Sequence, residues 1–153
     1  PAIEAARPDV RLLVTGALPA ALPPGLAHPR VRLAGWLTPR ELAAAHRESR
    51  AGIVPLLSGT GTRIKLLEAL AYGLPVVATA KGAEGLALAP GEHYLRADDP
   101  ADFAAATLRL LGDAALAGAI GRGGREAVRR RYTWEARGGQ LRQLVRDIAA
   151  RPR

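Results

Sequence analysis

Residues 51–79, AGIVPLLSGTGTRIKLLEALAYGLPVVAT, read as a buried strand, a glycine-bearing loop, a short helix and a second buried strand. Ala51–Leu57 and Leu74–Thr79 are short apolar runs, as expected of parallel strands covered on both faces. The loop Ser58–Thr62 leads into a helix closed by Gly73, with Pro75 shortly after. The first turn of that helix offers backbone N–H groups without intrahelical acceptors, and such groups favour an anion, most often a phosphate. Lys65 and Glu68, three residues apart, share one helix face. Leu66, Leu67, Leu70 and Ala71 are left to pack against the sheet. An ammonium and a carboxylate beside such a helix start fit a nucleotide: phosphate on the amides and lysine, ribose hydroxyls on the carboxylate. An ordinary strand-to-helix loop with a solvated Lys65–Glu68 pair fits the same residues.

Working outward, Val10–Thr15 and Val31–Gly35 are two earlier strands, separated by a proline-rich loop, Ala17–Pro29. Thr38, Pro39 and Glu41 form a capping box that opens a helix to about Ser49. After the fourth strand, the connection AKGAEGLALAPGE leads to a short fifth strand at His93–Arg96. Asp99 caps a helix from Pro100 to about Leu111. A second helix spans roughly Ala114–Arg131, and after a break at Tyr132–Thr133 a last one covers about Trp134–Ala149. Leu141, Leu144, Val145 and Ile148 recur on that last helix at amphipathic spacing. Strands alternating with helices over short connections predict an α/β fold: a Rossmann-like parallel sheet flanked by helices.

At 153 residues, with apolar side chains making up 48%, the chain is long enough for one domain with a single substantial core. Cysteine is absent, which excludes disulfides and thiolate metal sites, and His28, His46 and His93 have no metal-ligand spacing. The expectation is therefore no metal and no cofactor. No apolar run approaches the roughly 18–20 residues of a membrane span. No signal peptide is visible, so a cytoplasmic location is the default. From Arg122 to Arg153, ten arginines face only Glu126, Glu135 and Asp147, so almost all of the net charge of +8 lies in the C-terminal helices. Such a run is usually a solvated face; it could also meet an anionic membrane surface. No aromatic-interleaved motif accompanies it, so nucleic acid is not expected as a partner.

In open parallel sheets, ligands bind beyond the carboxyl ends of the strands. Here that edge carries Gly16, Gly35–Leu37, Ser58–Thr62 and Ala80–Glu84. The loop is neither a Walker A motif nor a dinucleotide fingerprint: Gly59 and Gly61 give G-x-G, but Ile64 holds the third glycine position. A G-x-S-x-G elbow and a Ser/His/Asp set are also missing, which argues against a hydrolase.

LLSGTGTRIKLLEALAYGLPVVAT, preceded by VRLAGWLTPRELAAAHRESRAGIVP and followed by GAEGL, GEHYL, DDPADFAAATLRLL and the YTWE helix, resembles the C-terminal half of a GT-B glycosyltransferase of the family 4, or group 1, type. The resemblance implies a retaining transferase using a nucleotide-diphosphate sugar, with residues 1–153 as the donor-binding domain of a bacterial enzyme that builds a polysaccharide or glycolipid. It implies a partner N-terminal acceptor domain, absent here together with the first strand of this domain, so that the fragment alone would be inactive. Glu68 then corresponds to the glutamate that binds the donor ribose. Gly59, Thr60, Gly61 and Thr62 face the diphosphate or sugar, Lys65 and Arg63 are phosphate partners, and Leu37 lies by the base; Glu84, which its place on the sheet edge and not the resemblance brings in, is a further candidate donor contact. Trp134 falls where the last helix crosses toward the partner domain. No catalytic residue is assignable. One departure stands out: the family motif has two glutamates separated by seven residues, and Thr60 occupies the position of the first.

Two alternatives keep the same fold. One is a non-catalytic module docking to a membrane or to a partner through its basic C-terminal helices, Arg129, Arg130 and Arg131 among them, whereas a peripheral place at the inner membrane face goes with the transferase reading. The other is a nucleotide-sugar epimerase of the same architecture. Trp36 and Trp134 read as packing residues, and His93 as structural. Donor, acceptor, linkage and oligomeric state are not encoded in any motif.

Overall fold

The strand Val76–Ala78 is fully buried, and its alternating side chains serve two separate cores. Val76 and Ala78 face Leu66, Leu70, Tyr94 and Val128, whereas Val77 faces Leu95, Ala106, Leu110 and Ile120. A strand covered on both faces is what its unbroken apolar run predicts. In the computed structural model, which describes residues 2–17 and 27–149, the elements follow in chain order. They are α1 (Ala2–Ala6), β1 (Leu12–Thr15), β2 (Val31–Gly35), α2 (Pro39–Glu48), β3 (Gly52–Val54) and α3 (Ile64–Ala71). Then come β4 (Val76–Ala78), a 3₁₀ turn (Lys81–Ala83), β5 (Leu95–Arg96), α4 (Pro100–Gly112), α5 (Ala114–Arg131) and α6 (Trp134–Ala149). The predicted loop 17–29 falls largely outside the described residues.

All strand pairs are parallel, but the sheet is in two pieces: β1 pairs with β2, and β3–β4–β5 form a second ladder. β1 and β2 are only half-buried, in contrast to β4. Helix α3 covers one face of β4, and α4 covers the other. The two pieces are tied by α1 against α4, where the Arg7 guanidinium donates to the Leu111 carbonyl at 3.4 Å, and by the His46 ring of α2 stacked 4.9 Å from Tyr72. Among the described residues, no single helix is long and apolar enough to cross a membrane.

Local chemistry sets the helix starts. The Thr38 hydroxyl accepts the Glu41 N–H and the Glu41 carboxylate accepts the Thr38 N–H at 2.8 Å, completing the predicted capping box. The Asp99 carboxylate accepts the Ala101 and Asp102 amides at 2.9 Å each. On α3, Leu66 and Leu70 turn inward as expected, but Ala71 is exposed and Ala69 takes the buried position. The inward stripe of so short a helix runs through positions 66, 69 and 70, and 71 falls outside it. Trp36 and Trp134 pack on nothing large, at 83% and 90% exposure, contrary to their reading as packing residues.

Helix α5 carries glycines where propensity alone would disfavour them. A Cβ on Gly121 would collide with the Gly73 carbonyl oxygen at the turn that ends α3, and one on Gly124 would meet Leu70 and the His93 carbonyl. The glycines let α5 lie directly on α3 and its terminal turn. Gly121→Ala is expected to destabilise the fold by roughly 1–3 kcal/mol, because a backbone oxygen cannot swing aside. Gly118→Ala, which meets only the mobile end of Arg122, should be neutral or gain a few tenths of a kcal/mol to about 1 kcal/mol from helix propensity. Urea unfolding of the two variants checks this; equal midpoints would refute the close-approach explanation.

Candidate anion and nucleotide site

Parallel strands send their carboxyl ends to one edge, and the loops after β3 and β4 meet there. The Thr79 hydroxyl, at the exit of β4, donates to the Leu56 carbonyl at 2.5 Å and accepts the Gly82 N–H at 2.9 Å. Gly82 itself lies so close to β3 that a Cβ would sit 2.7 Å from the Val54 oxygen. These contacts press the 3₁₀ turn Lys81–Ala83 onto the exit of β3. They deliver Glu84 to the glycine loop.

Arg63 receives it. Its side chain is 5% exposed, and its guanidinium donates to the Gly61 carbonyl at 3.1 Å, the Gly59 carbonyl at 3.3 Å and the Glu84 carboxylate at 2.7 Å. Its Nε is buried without a partner among the described residues. The same Glu84 oxygen accepts Lys81 Nζ at 2.7 Å. Lys81, and after it Arg63, hold the Glu84 carboxyl below its ordinary value, against a smaller opposing effect of desolvation. Gly59 and Gly61 have φ of 125° and 90°, a region open to glycine, and this lets both carbonyls turn toward one guanidinium. Arg63 is thus turned inward onto the loop, unlike a solvated helix-start cation, and it still lines the pocket beside that loop.

None of the amides from Ser58 to Arg63 donates to an acceptor among the described residues, nor does that of Lys65. A pocket of about 270 Å³ opens beside them, lined by Gly59, Thr60, Thr62, Arg63, Ile64 and Lys65, among others. Lys65 is exposed and has no ion-pair partner among the described residues, and its Nζ lies 4.0 Å from the point a Cβ on Gly16 would occupy. Its charge therefore hangs over the carboxyl end of β1, where the two sheet pieces approach each other.

Glu68 follows one turn later. It is exposed and makes no ion pair with Lys65 or Arg63, so the solvated-pair reading does not describe it. Its neighbour is His46 of α2: burial pushes the imidazole pKa down, and the Glu68 carboxylate opposes that shift. Of the predicted residues, Gly59, Thr60, Thr62, Arg63 and Lys65 share the pocket wall. Gly61 contributes its carbonyl to Arg63, and Glu84 joins through the same guanidinium. Leu37 is half-buried on the separate loop after β2, and Glu68 stands on α3 beyond the pocket wall. Sequence reasoning missed Lys81 and Gly82. The i,i+3 spacing of Lys81 and Glu84 was a usable signal for the first, while the close approach of Gly82 to β3 leaves no mark in sequence.

A family model described as glycosyl transferases group 1 matches residues 1–113. The phosphatidyl-myo-inositol mannosyltransferase of Mycobacterium leprae (strain TN) is 34% identical over 121 residues, which is 78% of this chain and 32% of that protein. A sucrose-phosphate synthase structure from Thermosynechococcus elongatus superposes with a TM-score of 0.78 and 30% identity, over 97% of this chain and 41% of the other. The C-terminal domain of a glycosyl transferase group 1 family protein from Francisella tularensis gives a TM-score of 0.59 at 19% identity, over 69% of this chain and 55% of that one, and shows the fold alone. The chain therefore spans about a third to two-fifths of the first two relatives.

The lowered Glu84 pKa has a defined sign. Its stabilising contribution is complete above the ordinary carboxyl value of 4.5 and is lost as pH falls through the lower folded value. Glu84→Gln should therefore be less stable than the parent near pH 7, with the gap closing as the solution is acidified below the ordinary carboxyl value. Urea denaturation of both proteins across that range checks it; a gap that does not change with pH would overturn the assignment.

Proposed function

Because the chain belongs to the group 1 glycosyl transferases, we propose that its carboxyl edge binds the nucleotide of a nucleotide-diphosphate sugar and that the whole protein transfers that sugar with retention. The observation that carries the reading is that, among the described residues, the amides from Ser58 to Arg63 have no acceptor and Lys65 has no ion-pair partner, beside one pocket that most of these residues line. Phosphate oxygens complement such a set, because fixed dipoles and one cation need no rearrangement as the leaving diphosphate gains charge. Glu68, one helical turn away and without an ion pair among the described residues, accepts ribose hydroxyls in this reading, and Leu37 borders the base. The chemistry makes no demand for a metal on the protein side.

Thr60 brings a hydroxyl where the family motif has a carboxylate, so the contact to the transferred sugar differs from the family pattern, and the donor is left open. Residues 1–153 act as the donor half, with an acceptor domain and a further strand supplied from elsewhere in the protein. Supporting that division, β1 and β3 each have one edge without a ladder partner among the described residues. A cytoplasmic location, with peripheral contact at the inner membrane face, suits a glycan or lipid-linked acceptor. The docking-module alternative has less support: Arg129 and Arg130 are bonded to Glu126, and Arg131 donates to the Ala87 carbonyl. The family description favours transfer over epimerisation.

Titration of the intact protein with UDP, GDP and ADP by calorimetry should find one saturable nucleotide. Glu68→Ala should weaken it by at least about tenfold, the scale of losing charge-assisted hydrogen bonds. Absence of binding by all three, or affinity indifferent to Glu68, would sink the reading.

A further inference from the structure

Arg63 is the one charged residue classed as buried among the described residues. A guanidinium cannot shed its charge, so its burial needs acceptors placed to meet it. The chain supplies three: two carbonyls of its own glycine loop and a carboxylate from the loop after β4. This arrangement does more than satisfy a charge. A trans peptide is planar, with its C=O and N–H pointing in opposite directions. When the Gly59 carbonyl turns toward Arg63, the Thr60 N–H must turn away from it. When the Gly61 carbonyl turns inward, the Thr62 N–H likewise turns away. Thr60 and Thr62 both line the pocket.

We propose that Arg63 and Glu84 are positioning residues that aim the Thr60 and Thr62 amides at the anionic group of the ligand without touching it. Glu84 keeps the guanidinium in place by sharing its Nη2 with the Gly59 carbonyl. Thr79, Lys81 and the close approach of Gly82 in turn hold Glu84. The polarity of the glycine loop is thereby set from the neighbouring βα loop, and a change at residue 84 is felt at residues 60 and 62. This inference rests on the nucleotide reading for its ligand but not for its mechanics.

The sign of one substitution separates positioning from direct contact. If Arg63 were a phosphate ligand restrained by Glu84, then Glu84→Gln would release positive charge toward the diphosphate and tighten binding. If the pair aims amides, the same change loosens the loop and weakens binding. We expect Glu84→Gln and Arg63→Gln each to weaken the nucleoside diphosphate by about tenfold, the scale of one or two lost bonds to a charged group. Arg63→Lys should keep part of that affinity, and binding of the bare nucleoside should be unchanged. A second readout needs no ligand: ¹⁵N relaxation of the Gly59–Thr62 amides in the free protein should show lower order in Glu84→Gln, an exposed site at which misfolding is not expected. Tighter or unchanged diphosphate binding in Glu84→Gln, or a loop equally ordered in both proteins, would overturn the proposal. If no nucleotide binds the parent protein but loop order still depends on Glu84, the nucleotide reading fails and the positioning role stands.

Discussion

Burying a guanidinium obliges the surrounding chain to supply acceptors, and at this sheet edge the obligation falls on Arg63. Two of its partners are loop carbonyls, which would otherwise compete with any anion for the same space. Drawing them inward leaves the loop lined with donors on its open side. The third partner, Glu84, comes from a loop held against β3 by Thr79 and by a glycine too close to the strand for any side chain. Three segments (the glycine loop, the loop after β4 and the start of α3) are thus joined by one planar cation. The electrostatic character of the pocket follows from that cation without requiring it to face the ligand.

Much of this was legible in residues 51–79. Strong period and strong punctuation made the strand, helix and strand readable, because β4 is covered on both faces and α3 has a clear inward stripe. The capping box at Thr38 and the Asp99 cap were equally local, and they appear as expected. Less legible was anything decided by approach between distant segments. Arg63 has the sequence appearance of an exposed loop cation next to a helix; only the arrival of Glu84, 21 residues later, makes it an interior group. Apolar spacing points Ala71 inward because it cannot distinguish the last position of an eight-residue helix from its neighbours. The tryptophans read as packing residues, yet both lie open.

The two glutamates of the site illustrate the same divide. Glu68 stands out by its place in LEALAYGLPVV, and the structure shows it without an ion pair among the described residues, beside a histidine whose burial disfavours the charged form. Glu84 was recognised only as an acidic residue on the correct edge, and its structural partners turn out to be two cations that lower its pKa. One carboxylate is therefore exposed, while the other is engaged with Arg63 and Lys81. Residues of the same type at the same sheet edge have been given different work by what surrounds them.

The division of the parallel sheet into a pair and a triplet has a consequence for handling the chain. Among the described residues, β1, β2, β3 and β5 each pair with one strand only and present a row of backbone donors and acceptors on the other side. Such rows recruit extended segments of other molecules unless a strand, helix or loop covers them. Colloidal behaviour thus depends on what lies against these edges. A preparation that leaves them bare would be prone to strand-to-strand association even with every helix correctly formed.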